Sequence, residues 1–114
     1  MGYVDGKIAV LTGAGSGIGR ALAIQLNREG CRLYLSDING DTLAETCALL
    51  PRKDVSVDSQ LLDVANRDAV QDWAQRIDAA HGYVDIVINN AGVALMATVE
   101  ETSYHDLEWL MDIN

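Results

Sequence analysis

Positive charge is scarce in this sequence. Eight Lys and Arg stand against seventeen Asp and Glu, giving a net charge of −9 over 114 residues. Nucleic acid is therefore not expected as a partner, because phosphate binding needs clustered basic side chains. The acidity itself reads as a solubility feature. Cysteine is scarce too. Cys31 and Cys47 form neither a C-x-x-C pair nor a zinc spacing, so no metal site is expected, and both read as core residues of a reduced, cytoplasmic protein. No apolar run approaches membrane-spanning length, so no membrane partner is expected. The N-terminal apolar stretch is interrupted by Asp5 and Lys7, which argues against a signal peptide. Gly6 stands where a myristoylation signal needs Ser or Thr. Linkers, internal repeats and low-complexity segments are also missing.

What is present is a sequence that is 49% apolar, with its 22% charged residues dispersed. Such a composition belongs to an ordered globule. The length fits one domain, and a chain this long buries roughly two-thirds of its unfolded surface. Strand-like apolar runs alternate with helix-like ones. Residues 7–12 suit a buried strand. Residues 17–29 carry Ile18, Ala21, Leu22 and Leu26 at helical spacing, with Gly30 as the stop. Residues 32–36 form a second strand. Thr42 and Glu45 fit a capping box opening the second helix, and Pro51 marks the turn after it. Residues 55–62 read as a weaker third strand. Asn66 can cap a third helix whose face carries Val70, Trp73, Ala74 and Ile77 and which ends at His81-Gly82. Residues 84–88 read as the fourth and most clearly buried strand. Ser103 and Asp106 could cap a last helix bearing Leu107, Leu110, Met111 and Asn114 on one face. Alternating strands and helices imply right-handed crossovers and a parallel α/β sheet covered on both sides.

Four features carry chemistry. The first is Thr12-Gly13-Ala14-Gly15-Ser16-Gly17-Ile18-Gly19, between a strand and a helix. Glycines let the backbone turn sharply and approach a bulky anion, and the following helix start offers free N–H groups to a pyrophosphate. A plain tight turn also accounts for such glycines. The spacing is G-x-x-x-G-x-G through Gly13, Gly17 and Gly19, so neither the G-x-x-x-x-G-K-[ST] phosphate loop nor strict G-x-G-x-x-G is present. The second is Asp37, just past the second strand and eighteen residues beyond Gly19. A carboxylate there can accept from both ribose hydroxyls of an adenosine; a turn or capping aspartate is the other reading. No Lys or Arg stands at positions 36–38 or in the glycine turn to offset a 2′-phosphate, so the charge balance favours NAD over NADP. The third is Asp63-Val64 after the third strand, facing an adenine pocket or simply a loop. The fourth is Asn89-Asn90-Ala91-Gly92 after the fourth strand, either a ligand-facing loop or an ordinary turn.

In this order, from Gly6 to Asn114, the four features resemble the short-chain dehydrogenase/reductase family of the classical type. The resemblance implies a Rossmann-type doubly wound parallel sheet, of which the chain would supply four βα units. It also implies hydride transfer between a nicotinamide cofactor and an alcohol or ketone. Carried over residue by residue, it places Gly13, Ser16, Gly17, Ile18 and Gly19 at the pyrophosphate side of the cofactor. Asp37 and Ile38 would stand at the adenosine, Asp63 and Val64 at the adenine, and Asn89, Ala91 and Gly92 at the border of the cofactor's ribose. Thr12 would tie the glycine turn to the N-N-A-G loop. Asn114 matches the family's catalytic asparagine, although a frayed terminal Asn reads the same in isolation.

The family's Ser and Tyr-x-x-x-Lys would lie beyond Asn114, so residues 1–114 are expected to be the front portion of such a domain, inactive by itself. The literal Tyr3-x-x-x-Lys7 precedes the first strand and contains Gly6, and is taken as chance. Substrate contacts within the chain could come only from residues 93–98. Family members usually pair through the last helix, so a homo-oligomer is expected of the full-length protein. His81 is expected to favour its helix's C-terminal end. His105 is expected on the surface, and Trp73 and Trp109 in packing. Two other functions remain open. A non-catalytic dinucleotide-binding module would lack a Tyr-x-x-x-Lys helix downstream. An adenosylmethionine-dependent methyltransferase would use Gly13, Gly15 and Gly17, but Thr12 stands where such sites carry an acidic residue.

Overall fold

The computed structural model describes residues 4–90. Four parallel strands alternate with three helices: β1 (Ile8–Thr12), α1 (Gly17–Arg28), β2 (Arg32–Asp37), α2 (Gly40–Leu49), β3 (Val57–Leu61), α3 (Arg67–His81) and β4 (Ile86–Asn89). The strand order is β3-β2-β1-β4. The chain thus winds outward from β1 through β2 to β3, then crosses back to place β4 on the other side of β1. This reversal makes a Rossmann-type, doubly wound sheet and leaves a crevice at the carboxyl ends of β1 and β4.

Residue alternation along β1 builds both layers. Ala9 and Leu11 pack with Ala23, Leu33, Leu35, Leu43 and Leu50 beneath α1 and α2. Val10 points the other way, to Val70, Trp73, Ala74, Ile77 and Val87 under α3. With neighbours on both edges and both faces, all five residues of β1 are buried. β1, and not residues 84–88 as the sequence predicts, is the most buried strand. β4 begins at Ile86, and among the described residues only Val87 in it is buried. Ahead of it, Asp85 exchanges two bonds with Ile8: Asp85 Oδ2 accepts from the Ile8 N–H and Ile8 O from the Asp85 N–H, each at 2.9 Å. That clasp sets the β1–β4 register, Val10 opposite Val87 and Thr12 opposite Asn89.

The helix ends follow local chemistry. Gly30 (φ +89°) closes α1: its N–H bonds to the Asn27 carbonyl and that of Cys31 to Leu26. Leu50 is extended before Pro51, as the proline ring requires. Asn66 caps α3 through its side chain to the Ala69 N–H, and Gly82 (φ +76°) ends it. The capping box at Thr42 is corrected: Asn39 opens α2, its side chain accepting from the Asp41 and Thr42 N–H groups. The inner face of α1 is corrected as well. Leu22 and Leu26 do pack against the core, but its fully buried residues are Gly19, Ala23 and Asn27, whereas Ala21 is exposed and Ile18 is 71% exposed.

Trp73 is packed in the core as expected. His81, at the end of α3, meets the Tyr34 hydroxyl at 2.6 Å through Nε2, a partner the sequence did not reveal. Both cysteines are free. Cys31 is fully buried, and desolvation, with the Asp85 carboxylate behind it, pushes its thiol up to about 11. Among the described residues no helix is long and apolar enough to cross a membrane. Ala91, Gly92, Asn114, the last helix with His105 and Trp109, residues 93–98 and Tyr3 lie outside the described residues.

Candidate functional site

The carboxyl ends of β1, β2 and β3, with the turn after β4, surround a cleft of about 360 Å³. Gly13, Ser16, Ser36, Asp37, Ile38, Leu62, Asp63, Val64 and Asn90 line it.

The glycine turn forms one wall. Gly13 (φ +67°) starts it and Gly17 (φ +58°) opens α1, both in backbone that side chains rarely adopt. Gly19 has a different duty. A Cβ on it would overlap the Gly13 carbonyl and crowd Asn90 Nδ2. Its bare Cα therefore lets α1 close directly onto the turn. The Gly15 N–H donates to Asp37 Oδ2 at 2.7 Å. The glycine turn and the end of β2, twenty-two residues apart, are thus joined at the carboxylate. The Asn39 N–H donates to the other oxygen, Oδ1, at 2.9 Å.

The opposite wall follows β3. The Asp63 carboxylate accepts from the Ala65 N–H at 2.9 Å, an Asx turn that leaves Asp63 beside Val64 at the rim. Leu62 and Val64 supply flat apolar surface. The third wall is the end of β4. Thr12 Oγ1 donates to Asn89 Oδ1 at 2.9 Å, so Thr12 does tie the strand bearing the glycine turn to the N-N-A-G loop. Asn90, not Asn89, lines the cleft, and its Nδ2 donates to the Gly13 carbonyl at 3.2 Å.

The cleft thus gathers Gly13, Ser16, Asp37, Ile38, Asp63 and Val64 from three separate stretches of sequence. Gly17, Ile18, Gly19 and Asn89 are sequence neighbours of these residues that do not line it. Sequence reasoning missed Ser36 and Leu62, and named Asn90 only as part of the N-N-A-G motif. Period-two alternation gave no clear signal for Ser36, which shares its face of β2 with Arg32 and Tyr34. Its Oγ is buried and is the one such side-chain atom among the described residues without a hydrogen-bond partner. An orphaned hydroxyl costs about 1–3 kcal/mol, and this one lies at the floor of the cleft. Among the described residues no His, Cys, Asp and Glu cluster is arranged to hold a metal ion.

A sheet reversal at β1, a glycine turn at a helix start and an acidic residue at the end of β2 together form a dinucleotide-site geometry. Comparison with known proteins agrees. SadH of Mycobacterium tuberculosis is 44% identical over 114 residues, all of this chain and 41% of its own length. Carveol dehydrogenase from Mycobacterium avium, solved with NAD, superposes with a TM-score of 0.72 at 30% identity, over 81% of this chain and 38% of that one. A metagenomic short-chain oxidoreductase solved with NADP gives 0.73 at 34% identity, over 81% and 42%. The chain therefore spans about two-fifths of the length of these relatives. The short chain dehydrogenase family model matches residues 7–114, and the chain belongs to that family.

Proposed function

We propose that the cleft holds the adenosine diphosphate half of NAD, in a NAD-dependent oxidoreductase that converts an alcohol to a ketone or the reverse. The observation that carries this reading is the Asp37 carboxylate, held at the cleft between the Gly15 and Asn39 N–H groups. A carboxylate offers about four lone-pair sites, so capacity remains for a ribose diol.

The residues present fit such a group. Gly19 has no room for a side chain against the Gly13 carbonyl, so the start of α1, with its free N–H groups, closes up to the turn where a diphosphate would lie. Leu62, Val64 and the 67%-exposed Ile38 offer apolar faces for a planar base. The buried Ser36 hydroxyl lacks a partner that a ligand or its water could supply. Gly13, Ser16, Gly17, Ile18 and Gly19 would border the diphosphate, Asp37 and Ile38 the adenosine, and Asp63 and Val64 its adenine. Asn89, Ala91 and Gly92 would border the second ribose, with Asn90 added to them. Asn114 is proposed as a catalytic residue on the family resemblance. The nicotinamide, when bound, accepts or supplies the hydride. The residues described here bind and orient the cofactor's other end.

Solved relatives hold NAD in some cases and NADP in others, so family membership leaves the choice to individual residues. Asp37 favours NAD, since a 2′-phosphate would bring like charge against its carboxylate. Arg20 is the basic residue that follows the glycine turn in the sequence, and its guanidinium is already bonded to Thr46, Gly15, Thr42 and Glu45. Two free cysteines support a cytoplasmic setting. A homo-oligomer is proposed from family habit.

Titration of the intact protein with both cofactors tests the reading. NAD should bind more tightly than NADP. Asp37→Ala should weaken NAD by about 1.5–3 kcal/mol, as for other charged hydrogen bonds, and narrow the difference. Equal wild-type affinities would remove Asp37 as the selector.

A further inference from the structure

The middle of the glycine turn consists of two consecutive peptide planes, Ala14–Gly15 and Gly15–Ser16. Each is held at its carbonyl end. The fully buried Thr46 donates from Oγ1 to the Ala14 carbonyl at 2.8 Å. Arg20 Nη2 donates to the Gly15 carbonyl at 2.7 Å. The two holds are one unit, because Arg20 Nε donates to Thr46 Oγ1 at 2.9 Å. Arg20 Nη2 also reaches the Thr42 carbonyl at 3.0 Å and Glu45 Oε1 at 3.1 Å, which anchors the guanidinium to α2.

A trans peptide points its N–H opposite to its C=O, and the described residues include no cis bond. Drawing both carbonyls toward Arg20 and Thr46 therefore aims both N–H groups away from them. The Gly15 N–H meets Asp37 Oδ2 at 2.7 Å. The Ser16 N–H belongs to a residue that lines the cleft and donates to no acceptor among the described residues. A segment with Gly13, Gly15 and Gly17 has little side-chain bulk to prevent these planes from turning over. Some other group must fix them. A carbonyl that accepts from a guanidinium is also polarised, which strengthens the N–H at the other end of the plane.

We propose that Arg20 and Thr46 are positioning residues for the cofactor diphosphate. They lock two peptide planes so that Gly15 N–H orients Asp37 and Ser16 N–H faces the bound phosphates. The proposal rests on the dinucleotide reading above, and ligands with and without phosphate separate the two.

The intact protein is titrated calorimetrically with ADP-ribose and with adenosine, as wild type, Arg20→Gln, Thr46→Val and Thr46→Ser. Arg20→Gln and Thr46→Val should weaken ADP-ribose about tenfold, the loss of roughly one charge-assisted contact. Adenosine carries no phosphate and reaches the turn only through the Asp37 carboxylate that the Gly15 N–H orients, so its loss should stay below about threefold. Thr46→Ser keeps the hydroxyl and should bind both ligands as wild type does. Equal losses for the two ligands, no loss for either, or Thr46→Ser behaving like Thr46→Val would overturn the proposal. A wild type that binds neither ligand removes the dinucleotide reading and this proposal with it. Should Arg20→Gln fail to fold, the Thr46→Val and Thr46→Ser pair decides alone.

Discussion

Gly17 and Gly19 stand two residues apart and are glycine for different reasons. Gly17 sits at φ +58° with open space where a Cβ would go. An alanine there would be strained in its backbone alone, at about 1–2 kcal/mol. Gly19 has ordinary φ, but a Cβ would strike the Gly13 carbonyl, a backbone atom that cannot yield without reshaping the turn. Gly19→Ala should therefore lose about 1–3 kcal/mol by overpacking and most of its NAD affinity too. Gly17→Ala should lose stability while keeping more of its binding. Denaturant unfolding paired with NAD titration measures both, and a Gly19→Ala protein with wild-type affinity would contradict the close approach of α1. The same residue explains a misreading of the sequence. A search for apolar residues at helical spacing finds Ile18, Ala21, Leu22 and Leu26, and passes over Gly19 and Asn27. Asn27 is buried because its amide pairs with the backbone of Arg52, accepting at 2.8 Å and donating at 3.1 Å. Neither a required absence of bulk nor a side chain imitating a strand partner registers as hydrophobic periodicity.

At the scale of the element, order and type could be read from the sequence, whereas several boundaries could not. Asn66 and Gly82 were legible because a capping side chain and a left-handed glycine are local features. The start of α2 was ambiguous, because Asn39 and Thr42 both suit a cap and the sequence does not say which is engaged. The structure selects Asn39. Thr42 lies inside the helix, and the Glu45 carboxylate pairs with Arg20 at 3.1 Å instead of reaching back to a box. Asn39→Ala should then cost about 1 kcal/mol, the usual loss of an N-cap. Glu45→Ala should cost no more than about 0.5 kcal/mol, because its ion pair is solvent-exposed. Thermal melts of the two variants rank them, and the reverse order would restore the capping box. The start of β4 was misjudged for a related reason. Val84 continues an apolar pattern, but Asp85 is bonded to Ile8, and the regular ladder begins only beyond that clasp.

At the scale of the whole molecule, strand–helix alternation predicted a parallel sheet, and the motifs at strand ends predicted where a ligand would bind. Each motif lay at the carboxyl end of its strand, so a parallel sheet had to gather them on one edge. Residues such as Ser36 and Leu62 became visible only once the walls of the cleft were assembled. Charge is also a property of the whole chain. With eight basic and seventeen acidic residues, the chain's field opposes an anionic dinucleotide, and attraction is confined to the N–H groups of the glycine turn and the start of α1. Salt should therefore act here in the opposite sense from its action on a nucleic-acid-binding protein. Raising ionic strength from about 0.01 M to 0.15 M shortens the screening length from roughly 30 to 8 Å. That change weakens the long-range repulsion, while contact hydrogen bonds are screened much less. NAD affinity should stay level or rise, on the order of twofold. NADP should respond more steeply, because its additional phosphate carries about two more negative charges toward Asp37. Calorimetric titration of both cofactors across that range gives the two slopes. A fall in NAD affinity with salt would mean that an unrecognised basic surface, rather than the glycine-turn N–H groups, draws the dinucleotide in.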